Sequence, residues 1–299
     1  MIKAPSSDKS PILADWLEAS LLRHPNRRYR ITYESIIDVL EEDDFDNSDA
    51  LLANLIQTVS TRMRIVGDGY PVQRDGLGFI RRGTWREYLP YSFMLLVSLN
   101  QAYAELRYTN GSANRPAEYF EHLTAIALER YLGCAVVRIG APRRPPLPTQ
   151  FPAALSYTIR QLNEALGRRD LEDQDSGDDG VDLIAWRAFN DSRPSQAILL
   201  AQCTIAVEWR DKRDGISLET WKRHIDWHSH PLKGFAVPFH HEQGNSWRET
   251  ATRGGIIFDR LRIAKLAEGA PLKRQFRTDL EGWCRARINS LASLVIEGR

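Results

Sequence analysis

Cysteine is scarce in this sequence. Its 299 residues contain three, Cys134, Cys203 and Cys284, far apart in the chain. They supply neither a disulfide framework nor paired Cys-x-x-Cys metal knuckles, so the expectation is a reducing cytoplasm with all three as small buried hydrophobes. Long apolar runs are missing as well. The longest, residues 93–99, is broken by Ser98 and is far too short to span a bilayer, and no apolar stretch follows Lys3 as it would in a secretory signal. The chain is therefore read as cytoplasmic, with no membrane partner. An excess of one charge sign is absent too: 40 Lys+Arg stand against 39 Asp+Glu. That excludes a globally basic nucleic-acid clamp and leaves room for a local basic groove. Neither Gly76-Leu77-Gly78 nor Gly254-Gly255 leads into a Lys-Ser/Thr pair, which argues against a nucleoside triphosphatase.

What is present is the composition of a globular protein, 42% hydrophobic and 26% charged, at a length that suits one large domain or two. The front reads as a helical region, residues 1–110. Apolar residues recur at helical spacing over 12–22, 33–42, 48–63 and 91–106. An acidic stretch at 41–46 separates two of these helices, and residues 67–84, with five glycines and Pro71, read as an irregular connection or small hairpin. Residues 111–299 form the second expected domain. A helix over 115–131 precedes a short strand at 136–139, a proline-rich loop at 141–152 and a helix over 153–166. The acidic segment 168–179 reads as exposed. Two β-prone segments follow, 181–186 and 196–204, joined by the turn-forming Asn190-Asp191-Ser192-Arg193-Pro194, then a helix over 218–227 and a strand over 234–239. The fold class is α/β: a mixed sheet flanked by helices, behind a helical N-terminal region. The tail from Asp259 onward carries nine Lys/Arg and five Asp/Glu, a basic C-terminal stretch.

The best place for chemistry is the expected hairpin. Asp182 opens one strand and Gln202 lies near the end of the next, so antiparallel pairing brings the two side chains to one edge of the sheet. A carboxylate and an amide or carbonyl oxygen, joined by a carboxylate from a helix, suit Mg²⁺ (or Mn²⁺), a hard ion that prefers oxygen ligands. Such an ion polarises a phosphoryl oxygen and helps activate water for in-line attack.

Phe120-Glu121 on a helix, Asp179-Gly180-Val181-Asp182 opening a strand, and Leu200-Ala201-Gln202-Cys203 ending the next resemble the restriction-endonuclease-like superfamily with the PD-(D/E)xK motif. The resemblance is to its Mrr-type branch, where glutamine replaces the second acidic residue. It covers roughly residues 115–268, and the Gly255-Ile256-Ile257-Phe258-Asp259 strand with its following helix continues it. The resemblance implies that Glu121 is the helix carboxylate, Asp182 the central metal ligand and Gln202 the third oxygen donor, with the backbone carbonyl of Cys203 beside it. Glu118, one turn earlier, competes with Glu121. The catalytic lysine belongs two residues after Gln202, where this chain has Thr204. Lys212 is the nearest lysine that would deliver an ammonium to the same space.

Other features carry less. His224 and His228 are four apart and would share a helix face, but Ile225 stands where a zinc hydrolase has glutamate. Trp209, Trp221, Trp227 and Trp247 are interleaved with Arg210, Lys212, Arg213, Lys222, Arg223 and Arg248. That pattern either grips nucleic acid or places tryptophans in a core with cations on the wet side. For phosphate contacts the candidates are Arg143, Arg144, Arg260 and Arg262, with Lys265, Lys273, Arg274 and Arg277 behind them. The expected function is a metal-dependent DNA endonuclease of bacterial anti-phage defence, partnered by another protein or by copies of itself. The alternative is a catalytically degenerate nucleic-acid-binding or scaffold subunit.

Overall fold

The computed structural model describes residues 1–26, 28–107, 114–168 and 179–295. In chain order the elements of the first part are α1 (Ser10–Arg23), β1 (Arg30–Thr32), α2 (Tyr33–Glu42), α3 (Ser48–Val66), β2 (Val72–Arg74), β3 (Gly78–Arg81) and α4 (Leu89–Ser98). Then come α5 (Asn114–Leu132), β4 (Ala135–Arg138), α6 (Phe151–Leu162), β5 (Ala165–Leu166), β6 (Leu183–Arg187), β7 (Ala197–Cys203) and α7 (Leu218–His224). The last are β8 (Ile225–Asp226), β9 (Leu232–Ala236), α8 (Asn245–Gly254), β10 (Ile256–Phe258), α9 (Arg260–Ala267) and α10 (Arg274–Ser290). The class is mixed α/β. No helix among the described residues is long and apolar enough to cross a membrane. Residues 169–178, most of the acidic segment, and 296–299 at the end of the basic tail lie outside the described residues.

The chain divides into two compact units. One comprises Met1–Pro116, Pro238–His241 and Arg260–Arg299; the other comprises Ala117–Val237 and Glu242–Asp259. Residues 260–299 thus gather with the front of the chain, whereas the sequence reading attached them to residues 111–259. The reason is packing: α9 lies against α3 and α4, and α10 against α4.

In the first unit Pro11 sits in the first turn of α1, where its missing N–H costs nothing. Thr32 caps α2 by accepting the Ser35 N–H at 3.1 Å. The glycine-broken segment forms the hairpin β2–β3, to which β1 adds antiparallel. The helix expected over 91–106 ends at Ser98 and gives way to short 3₁₀ turns. The Ser98 hydroxyl hydrogen-bonds the Leu95 carbonyl and, at 2.5 Å, Asp15. These bonds override apolar periodicity.

That contact belongs to a buried ion network. Arg62 reaches Glu18 and Asp15, each at 2.7 Å, and its Nε–H donates to His240 Nδ1 at 3.2 Å. Arg260 pairs with Asp15, and the hydroxyls of Tyr70 and Tyr91 close on Glu18 at 2.5 and 2.7 Å. Charges so deeply buried persist only because each is paired.

The second unit is built on a five-stranded sheet of order β10-β9-β7-β6-β4. β4, β6 and β7 form an antiparallel meander, while β9 pairs parallel to β7 and β10 parallel to β9. Ile184, Trp186, Ile198 and Leu200 alternate onto one face, where they pack with Leu155, Ile159 and Leu162 of α6 and Trp221 of α7. The turn-forming run at 190–194 makes the expected β6–β7 hairpin connection.

Candidate functional site

Asp182 stands one residue before β6, held by its backbone from both sides. Its N–H donates to the Ala201 carbonyl at 3.0 Å, and its own carbonyl accepts from Ile139 and Gly140 at 2.8 and 3.1 Å. Its side chain reaches across to β7, where Oδ2 accepts the Cys203 N–H at 2.6 Å. Leu183 opposes Ala201 in the antiparallel register, so one step outward Asp182 opposes Gln202, and opposed residues share a face of the sheet. The hairpin therefore brings Asp182 and Gln202 to one edge.

Gln202 Oε1 is buried and has no hydrogen-bond partner among the described residues. A buried amide oxygen left this way carries an uncompensated desolvation cost, which a cation or a water would relieve. Glycines close the backbone over it. A Cβ at Gly215 would stand 2.4 Å from both amide atoms of Gln202, and a Cβ at Gly180 would stand 2.3 Å from the Gly215 carbonyl oxygen. Gly180 also has a φ of +77°, which a side chain rarely adopts.

Glu121 projects from α5 and is buried to 7% exposure, its Oε2 bound to Arg138 Nη1 at 2.6 Å. Arg138 ends β4, opposite Leu183, and its Nη2 also donates to the Pro142 carbonyl. Sequence reasoning missed Arg138. Its signal was a cation closing the apolar strand Val136-Val137 immediately before the loop to α6. Cys203 sits among these groups: its thiol is pushed well up by burial, then by the negative charges of Asp182 and Glu121, with Thr124 and Arg138 acting the other way. Of the two carboxylates, Asp182 touches this residue of β7 directly, through the Cys203 N–H. Glu118, the competitor for the Glu121 role, is bound to Arg144 at 2.8 Å.

Asp182 follows a turn that α7 holds down. The Asp179 carboxylate meets His224 Nε2 at 2.6 Å, and its carbonyl accepts the Trp221 indole N–H at 3.2 Å. The helix expected over 218–227 ends at His224, because Ile225 and Asp226 pair with α6's short exit strand β5. His224 and His228 consequently do not share a helix face. His228 instead binds Glu164 at 2.7 Å.

The expected cations separate into distinct environments. Thr204 turns inward on its own chain, its hydroxyl accepting the Ala206 N–H at 3.2 Å. Lys212 lies exposed on a 3₁₀ turn, its carbonyl accepting the Gly215 N–H at 3.0 Å. No partner is found for its ammonium among the described residues. Arg143 lies over the Phe151 ring at 5.1 Å and donates to the Thr149 carbonyl, while Arg144 keeps its side chain 65% exposed. Arg262 is exposed on α9. Arg260 is not a phosphate contact: its guanidinium is fully buried against Asp15 and Ser98 in the first unit. Trp209 and Trp221 are core residues, with Arg210 stacked on the outer side of Trp209.

Asp182 and Gln202 offer a carboxylate and an amide oxygen at opposed positions of one hairpin end, donor types that suit a hard divalent cation. Among the described residues no three His, Cys, Asp or Glu side chains form a metal-binding cluster, and Glu121 is engaged by Arg138. Comparison with protein-family models, with curated proteins and with solved structures finds no match to this chain.

Proposed function

We propose that this chain is a metal-dependent endonuclease of the restriction-endonuclease-like type that hydrolyses DNA phosphodiester bonds, and that it serves as the nuclease component of a cytoplasmic anti-phage defence system. One observation carries the reading: Asp182 and the unpartnered Oε1 of Gln202 stand opposed at the same end of the β6–β7 hairpin. The succession on which the resemblance rests, a helix, a strand, a hairpin, a helix and a strand, is also that of α5, β4, β6–β7, α7 and β9.

In this reading Asp182, Gln202 and Glu121 hold Mg²⁺ or Mn²⁺, with the Cys203 carbonyl beside them. The ion would supply Lewis-acid stabilisation of charge building on a phosphoryl oxygen. The chain's own groups do the rest. The hydrogen bond from Cys203 fixes the Asp182 carboxylate, and the Asp179–His224 pair fixes the turn before it. The two loops that touch the site carry exposed cations for the substrate: Gly140 approaches Asp182 on the loop with Arg144, and Gly215 covers Gln202 on the loop with Arg210 and Lys212. Such cations position a phosphate backbone without reading its sequence.

Thr204 favours the second reading, a degenerate DNA-binding or scaffold subunit, since its hydroxyl supplies no charge where a lysine is expected. Nicking of supercoiled plasmid separates the two. The enzyme reading expects Mg²⁺- or Mn²⁺-dependent nicking that EDTA abolishes and that Asp182→Ala reduces at least about 100-fold while DNA binding persists. A wild-type preparation that binds DNA yet stays inert with both ions supports the scaffold.

A further inference from the structure

Helices α2 and α3 of the first unit, joined by residues 43–47, pack as a helix-turn-helix pair, with β1 leading in and the β2–β3 hairpin following. Where such a pair reads DNA, the start of its second helix enters the major groove. Here that start is acidic: Asp43, Asp44, Asp46 and Asp49 are all exposed, and they repel phosphate. The hairpin has the opposite character. Residues 73–77 are exposed, and Leu77 at the tip shows 72% of its surface. Arg30 of β1 is laid across that tip. A Cβ at Gly76 would stand 3.0 Å from its Nη2, and one at Gly78 would stand 3.0 Å from its Nε, so the two glycines make room for the guanidinium beside Leu77. Asp75 Oδ2 stands 3.9 Å from Arg30 Nε with both side chains well into solvent, too loose a pair to neutralise it. Arg74, opposite Phe79 at the end of β2, and Arg28, just before β1, are exposed and carry no ion pair among the described residues. An apolar wedge flanked by arginines is the chemistry of a minor-groove contact: cations meet the phosphates and the wedge meets the bases.

We propose that the β2–β3 tip is a duplex-DNA contact of the first unit: Arg28, Arg30 and Arg74 bind phosphates and Leu77 enters the edge of the minor groove, while α3 stays off the DNA. Such a contact reads the backbone and the shape of the groove, and carries no base-edge readout from α3. It goes beyond the nuclease reading. It shares DNA with that reading and uses none of its residues, so either can fail alone.

Fluorescence anisotropy of a labelled duplex oligonucleotide, titrated with the full chain in EDTA over a series of salt concentrations, tests the contact without turnover. The proteins compared are wild type, Arg30→Ala/Arg74→Ala, Leu77→Ala and, on the exposed face of α3, Asn54→Ala/Gln57→Ala, each first checked for native circular dichroism. The arginine pair is expected to weaken binding at least about tenfold and to make the slope of log K against log salt shallower by about 2. Leu77→Ala should cost about threefold on the duplex and leave binding to the single strand unchanged. The α3 variant should stay within about twofold of wild type. Should the arginine variant misfold, Arg28→Ala/Arg74→Ala takes its place, with the same change of slope expected. Wild-type affinity in the arginine variant, a larger loss in the α3 variant, or a wild-type chain that does not bind the duplex overturns the proposal. So does displacement of the labelled duplex by poly-glutamate as readily as by unlabelled duplex, which would make the tip a surface for acidic protein. Loss of binding in the arginine variant, together with a wild type that nicks no plasmid, leaves this contact standing and removes the nuclease reading; nicking with unchanged binding does the reverse.

Discussion

At the scale of single residues, the chemistry of this protein is governed by which charges are paired. Asp182 is fixed by a backbone N–H, Glu121 by a guanidinium, and Asp15 and Glu18 by two buried arginines. His240 shows how such pairing sets a protonation state. An arginine Nε–H can only donate, so Nδ1 of His240 accepts and the ring is neutral. Burial, with the positive charges of Arg62 and Arg260, pushes its pKa down to about 2. In the unfolded chain the ring takes up a proton near its ordinary 6.5, so the unfolded state binds more protons at every pH between those values. Stability therefore falls as pH drops through that window. Between pH 7 and pH 5 the loss from this residue is about 2 kcal/mol. Urea unfolding at the two pH values checks it, and His240→Gln should flatten the difference. An unchanged pH slope in that variant would count against a buried neutral ring.

At the scale of elements, the site depends on close backbone approaches that only glycine permits. Gly180→Ala would place a methyl against the Gly215 carbonyl at a φ of +77°. The expected cost is about 1–3 kcal/mol, read as a lowered urea midpoint. A midpoint equal to wild type would mean that the turn is not held as described. Periodicity and turn chemistry made most elements legible in the sequence. The span of α2 and the β6–β7 hairpin are both written in local pattern, and so is the opposition of Asp182 to Gln202 that follows from antiparallel pairing. The misses were tertiary. Helix α4 stops where Ser98 is drawn to Asp15, a residue 83 positions away, and α7 stops where Ile225 joins a two-residue ladder with Leu166. No local signal encodes either partner. Arg138 was overlooked for the same reason, because its meaning lies in Glu121, 17 residues earlier on a different element. Arg260 looked like a surface cation in a basic tail, and only its pairing with Asp15, 245 positions away, reveals a core residue.

At the scale of the whole molecule, the C-terminal segment is part of the first unit's interior. Residues 260–299 supply Arg260 to the buried network and two helices, α9 and α10, to the packing of α3 and α4. Removing them leaves Asp15 without one of its two arginines, a loss of the kind that costs about 3–5 kcal/mol per broken buried pair. A chain ending at Asp259 should thus lose the part of its thermal unfolding, followed by circular dichroism, that belongs to the first unit. Retention of the wild-type transition would contradict the assignment of the tail to this unit. The near-neutral charge, +1 overall, bears on function at the same scale. In the nuclease reading, so small a net charge gives little long-range attraction to phosphate, and affinity would rest on local cations, a partner or a second copy.

The central claim is that Asp182 and Gln202, joined by Glu121, enclose one divalent ion. Anomalous diffraction from crystals grown or soaked in Mn²⁺ addresses it most directly. The account predicts a single anomalous peak within coordination distance, about 2.0–2.3 Å, of Asp182 and of Gln202 Oε1. It also predicts that the peak disappears in Asp182→Ala. Well-ordered Asp182 and Gln202 with no peak between them, or a peak bound by other residues and unaffected by that substitution, would contradict it.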